Sequence, residues 1–191
     1  VGTPPSWLNA EIIVWQARYR IIVALSCGAI GTLLRAIGVA RAPAPAPGDA
    51  PWMGVGGLWA VGALVAAYVA LAYAAGRRAR SRASSGRRLR FVMPLADLAL
   101  IYGLVVLLAS PIHYERALVL SIFSLLLAQL YFGTRPAVIA FRVSVVAYAV
   151  LLIVADRAGG HVEWRDSILS LALYASGGGI VAAVHASRQR R

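Results

Sequence analysis

The chain has 191 residues, of which 60% are hydrophobic and only 14% charged, and its formal charge is +12. That composition belongs to a membrane protein and excludes an ordinary soluble domain. It also argues against nucleic acid as the partner for the positive charge, because no basic, aromatic-interleaved soluble module is present to carry it.

All 19 basic residues are arginine. Without lysine there can be no retinal Schiff base, so a retinal photoreceptor is excluded, and so is catalysis by a lysine amine. The single cysteine, Cys27, lies inside an apolar run and reads as a small packing residue. It excludes an intrachain disulfide and a cysteine zinc site. No secretory signal is visible. The chain opens on Val1 and closes on Arg188-Gln-Arg-Arg191, and both ends are expected to continue into a longer protein.

Residues 4–20 place Leu8, Ile12, Trp15 and Tyr19 on one helical stripe, with Asn9, Gln16 and Arg20 on one side of it and Glu11 and Arg18 on the other. This pattern predicts a short interfacial helix or the start of the first span. Span one is expected over 21–40, interrupted by Arg35. Residues 41–51 carry four prolines and predict a polyproline-like connector. Span two is expected over 52–75. The stretch Gly76-Arg-Arg-Ala-Arg-Ser-Arg-Ala-Ser-Ser-Gly-Arg-Arg-Leu-Arg90 follows, with seven arginines. An arginine block between two apolar runs resists translocation and marks a cytoplasmic loop beside anionic headgroups. Spans three and four are expected over 91–110 and 117–132, joined by a polar turn at 111–116. Gly133-Thr-Arg-Pro136 reads as a second tight turn, with glycine stopping one helix and proline starting the next. Span five is expected over 137–155, a polar loop over 156–166 and span six over 167–186. Arg188, Arg190 and Arg191 close the chain.

This layout predicts an all-α membrane protein: a six-transmembrane-helix bundle in a bacterial inner membrane, with both termini cytoplasmic. Thirteen arginines then fall inside (Arg18, Arg20, the seven of the loop, Arg135 and the last three) and four outside (Arg41, Arg116, Arg157, Arg165). Two further arginines, Arg35 and Arg142, are not explained by orientation.

Ionisable groups within a span need a partner or a water path. Asp97 and Arg142 lie at about the same depth, roughly 9 Å from the cytoplasmic end of spans three and five, and are opposite in sign. They are expected to pair. Arg35, near the outer end of span one, can snorkel outwards or face an anionic ligand. His113 and Glu115 are available on that side. With Tyr174 of span six, these form the candidate sensing group. His113 and His161 sit in different loops without metal-ligand spacing, so no metal is expected, and no cofactor either. Span six places Ser167, Ser170, Tyr174 and Gly177 on one face. Ser176-Gly177-Gly178-Gly179 is expected to interrupt it, as tight packing or as a hinge. Ser121, Ser124 and Gln129 offer polar lining in span four. There is no Gly-x-Ser-x-Gly elbow, HExxH or P-loop, and only one membrane aspartate, so catalysis by this segment is not expected.

The run Glu11-Ile-Ile-Val-Trp-Gln-Ala-Arg-Tyr-Arg-Ile-Ile-Val23 resembles the start of multi-span input regions in bacterial sensor proteins, namely polytopic sensor histidine kinases and membrane-anchored diguanylate or adenylate cyclases. The resemblance implies a sensory domain, a coiled coil and catalytic module after Arg191, and a homodimer. A small lipophilic or anionic ligand would act through span six. The alternative is a small transporter or channel subunit that uses the Asp97/Arg142 pair.

Overall fold

A computed structural model of the protein describes residues 6–36, 56–81, 86–108, 113–160 and 162–189. The expected connector at 41–51, and His161, lie outside these residues. All regular structure among the described residues is helical: α1 (Ser6–Ala36), α2 (Gly56–Ser81), α3 (Gly86–Leu108), α4 (Glu115–Phe132), α5 (Thr134–Arg157) and α6 (Trp164–Gln189). Four stretches are long and apolar enough to cross a membrane: Trp59–Arg80, Arg88–Leu107, Glu115–Phe132 and Thr134–Arg157.

The expected interfacial helix and first span form one continuous helix, α1, of 31 residues. The arginine-rich stretch is largely helical too. Arg77, Arg78 and Arg80 ride on the last turns of α2, where cations suit the helix dipole, and Arg87, Arg88 and Arg90 begin α3. Between α4 and α5 a single residue, Gly133, makes the turn at φ +86°, a conformation that costs other residues a Cβ clash. Its N–H donates to the Gln129 carbonyl at 3.2 Å, and Pro136 falls in the first turn of α5. The other end of α5 closes with paired terminal hydrogen bonds. Gly159 N–H donates to Asp156 O at 3.0 Å and Gly160 N–H to Ala155 O at 2.9 Å, with Gly159 at φ +82°.

Helix α3 lies at the centre of the bundle, against α2 on one side and α4 and α5 on the other, and it also touches α1. Helix α6 packs on α4 and α5. Two apolar clusters result. One gathers Ile13, Ala72, Met93, Phe132 and Ala137 at the Thr134 end of the bundle. The other gathers Leu98, Tyr102, Leu118, Tyr148, Leu152 and Tyr174 in the α3–α6 half. Between apolar helices in lipid there is no hydrophobic driving force, so small residues that let backbones approach matter most. The α1–α2 seam has this character. Ala17 and Ala24 of α1 and Ala72, Gly76 and Ala79 of α2 are all buried, and a Cβ placed on Gly76 would stand 3.2 Å from the Ala17 Cβ. The outer surface carries large apolar side chains on every helix with described side chains, as a lipid-facing surface would.

Candidate functional site

The sequence places a carboxylate inside α3, and the fold supplies a cation for it from α1. Arg20 Nε donates to both oxygens of Asp97, at 2.9 and 3.2 Å, and Arg20 Nη2 donates to Oδ2 at 2.8 Å. The fork geometry makes this a bidentate pair, the strongest arrangement a carboxylate and guanidinium can adopt. Tyr68 of α2 donates its hydroxyl to Asp97 Oδ1 at 2.5 Å. Gln16, one turn before Arg20, accepts from Nη1 at 2.8 Å. The Phe132 ring lies 5.8 Å from the guanidinium carbon, within cation–π range. The side chains of Arg20 and Asp97 are only 10% and 12% exposed. Pro94, buried one turn before Asp97, lacks an N–H, so the Arg90 carbonyl loses its helical donor there.

The expected Asp97–Arg142 pair is therefore corrected. Residue counting sets the two at similar depth but does not give azimuth. Arg142 stands about 200° around α5 from Ser144. Ser144 is buried against the other helices, while Arg142 is exposed on the outer surface. From sequence alone, Arg20 is one of the thirteen arginines on the expected cytoplasmic side. The available signal was Gln16 and Arg20 at i and i+4, a polar pair on one face of an otherwise apolar helix.

A second polar cluster lies in the other half. Tyr102 of α3, Ser121 of α4, Ser144 of α5 and Tyr174 of α6 share one hydroxyl network. The Tyr102 hydroxyl lies 2.9 Å from both the Ser144 carbonyl oxygen and its Oγ. The Tyr174 and Ser144 oxygens are 2.9 Å apart, Ser121 and Tyr174 3.0 Å, and Ser144 and Ser121 3.2 Å. Ser121 also reaches the Leu118 carbonyl at 2.8 Å. Each hydroxyl can donate once and accept twice, so the ring of bonds is self-contained. The Phe141 ring stacks on Tyr174 with centroids 5.3 Å apart. Ser121 and Ser144 are fully buried. Ser124 is buried nearby in sequence, but its hydroxyl has no hydrogen-bond partner.

The remaining candidates are dispersed. His113 and Glu115 come together at the start of α4, with Nδ1 and Oε1 3.8 Å apart and both side chains well exposed. Tyr174 is not with them, being buried in the hydroxyl network. Arg35 lies in α1, with its side chain outside the described residues. Helix α6 runs unbroken through Ser176, Gly177, Gly178 and Gly179, so the expected interruption is absent. Ser176 donates back to the Leu173 carbonyl at 2.9 Å. A Cβ at Gly177 would meet nothing within 4 Å, so close packing does not require glycine there. Gly177→Ala is expected to raise stability by about 0.5–1 kcal/mol, the ordinary helix-propensity gain. Thermal melts in detergent check this, and a loss of stability would show a constraint at this position. Among the described residues no group of three or more His, Cys, Asp or Glu could hold a metal ion.

Comparison with protein-family models, curated proteins and solved structures finds no match. Among the described residues the geometry defines the class: an all-helical bundle with four helices long and apolar enough to cross a membrane and two polar clusters enclosed between its helices.

Proposed function

We propose that the chain is a six-span membrane sensory domain, with both ends on the cytoplasmic side of a bacterial inner membrane. It passes a small or lipophilic signal through α6 to a C-terminal signalling module. The observation that carries this reading is the hydroxyl network. Tyr174 links α6 to Ser121 and Ser144, and through Ser144 to Tyr102, so one residue of the last helix is bonded into three others. Interhelical hydrogen bonds in membranes average about 0.6 kcal/mol. Bonds of that size hold a helix in register and still exchange when a ligand favours another arrangement, to the extent that it binds the two differently. Arg35, His113 and Glu115 are the candidate sensing residues, and α6, continuous through Ser176, Gly177, Gly178 and Gly179, carries the shift towards the C-terminal end. The resemblance at Glu11–Val23 supplies the output class, a histidine kinase or a nucleotide cyclase working as a homodimer. The transporter alternative relied on Asp97 and Arg142. Asp97 is closed off by Arg20 and Tyr68, so no observation favours that alternative.

Two measurements test the proposal. The reading frame beyond Arg191 is expected to continue into a heptad-patterned helix and a catalytic module; a stop codon there sinks the sensory reading. Tyr174→Phe keeps the ring against Phe141 and removes the hydroxyl. It is expected to cost only about 0.6 kcal/mol in stability, yet to move or broaden the distance distribution between spin labels on α4 and on the last turn of α6. An unchanged distribution would remove the network from the signalling path.

A further inference from the structure

Arg142 is a charged residue with an unusual position. It stands eight residues into α5, about 12 Å from the Thr134 end along the axis, within a stretch apolar enough to cross a membrane. It is exposed, and it makes no ion pair or hydrogen bond among the described residues. Arg135 is exposed one two-turn step earlier. Seven residues bring a helix back to within about 20° of the same direction, so both arginines share one face of α5, about 10 Å apart along it. The same face continues as exposed Val146, Val150 and Ile153 towards the far end. Helix α5 also begins without a side-chain cap, so the unshared N–H groups of its first turn add positive potential beside Arg135.

A charge in this position needs a partner or a path to water, and among the described residues a second copy of the chain has no free carboxylate at that depth. Of the six acidic residues among the described ones, Glu115, Asp156, Glu163 and Asp166 stand at the opposite end of the bundle from Arg135. Asp97 is held by Arg20 and Tyr68. Glu11 is exposed on α1 two residues before Ile13, which packs in the cluster at the Thr134 end, so it stands nearer that end than Arg142 does. A headgroup phosphate can reach the site, because a long arginine stem extends towards the interface while its methylenes remain in the apolar layer.

We propose that Arg135 and Arg142 form a binding site for one anionic glycerophospholipid, with its phosphate between the two guanidinium groups and an acyl chain along Val146, Val150 and Ile153. The site requires only that α5 spans the membrane and is independent of the sensory reading.

The test is lipid retention by the full chain. Protein purified in mild detergent with phosphatidylglycerol is examined by native mass spectrometry, beside Arg142→Gln, the double variant Arg135→Gln/Arg142→Gln and a control at the opposite end, Arg116→Gln/Arg157→Gln. Retention is expected to weaken roughly fivefold for each of Arg135 and Arg142 removed and to stay unchanged in the control pair. Phosphatidylcholine is expected to be retained weakly and equally by all forms. Equal loss in the control pair would reduce the effect to net charge and overturn the site. Inorganic phosphate alone, added to protein in neutral detergent, is expected not to raise the melting temperature. If it stabilises the chain as strongly as the lipid does, the site is a phosphate site without an acyl component. A dimer that dissociates on Arg142→Gln would make a second copy the occupant, and would overturn the lipid assignment.

Discussion

Replacing Asp97 with alanine is expected to destabilise the protein by about 3–5 kcal/mol, the cost of leaving a buried charge without its partner. The guanidinium of Arg20 would keep Gln16 and the Phe132 ring but lose three donated contacts to the carboxylate. The loss belongs to the unpaired charge rather than to the pair itself, so removing both charges should reverse most of it. Arg20→Met/Asp97→Leu is expected to return close to the parent, because apolar replacement of a buried pair is often neutral or stabilising. Arg142→Gln, at an exposed position, is expected to lie within about 0.5 kcal/mol of the parent. Melts followed by tryptophan fluorescence in one detergent compare all three. If Arg142→Gln costs as much as Asp97→Ala, or the double variant is no better than the single, the Arg20 assignment fails.

The second large effect is expected at the α1–α2 seam. In Gly76→Leu the first side-chain carbon already meets the Ala17 Cβ at 3.2 Å, and three more carbons would have to enter between two backbones. Overpacking of this kind typically costs about 1–3 kcal/mol. The cost here should lie at the upper end, because Arg20 follows Ala17 by three residues on α1 and would be drawn away from Asp97 as the helices part. Gly76→Ala needs only a small adjustment and should show a fraction of the effect. Cysteines introduced as Gly28→Cys and Val65→Cys, in a Cys27→Ala background, report the seam directly: a Cβ on Gly28 lies 4.0 Å from a Val65 methyl. Cross-linking should fall in Gly76→Leu and persist in Gly76→Ala. Undiminished cross-linking in Gly76→Leu would show that α1 does not move.

The helices themselves were legible from apolar runs and their punctuation. Gly133 and Pro136 marked the α4–α5 turn because glycine adopts positive φ without cost and proline's fixed φ suits the first turn of a helix, and the structure uses both as expected. Helix ends were less legible. Arginines at 77–80 and 87–90 read as a loop, yet they extend α2 and α3, since arginine is a good helix former and is tolerated wherever it can reach water. The polar clusters were half legible. Ser121 and Tyr174 stood out as polar residues within spans, but Tyr102 and Ser144 did not, because a hydroxyl in a membrane helix acquires meaning only from the helix it faces. The partner of Asp97 failed for the same reason. Residue counting gives depth along one helix. It does not say that α3 presents Asp97 to α1, or that α5 turns Arg142 outward.

Arg20 and Asp97 are separated by 77 positions in the chain. A ribosome adding roughly 5–20 residues per second needs roughly 4–15 seconds to make the second after the first. During that interval Arg20 has Gln16, already made one turn earlier, but not the carboxylate it pairs with in the finished bundle. The placement of α1 is thus provisional until α3 arrives, and a chain halted before Asp97 lacks the carboxylate that holds Arg20. The ion pair is in this sense a record that synthesis has passed α3, which a product truncated before Asp97 cannot reproduce.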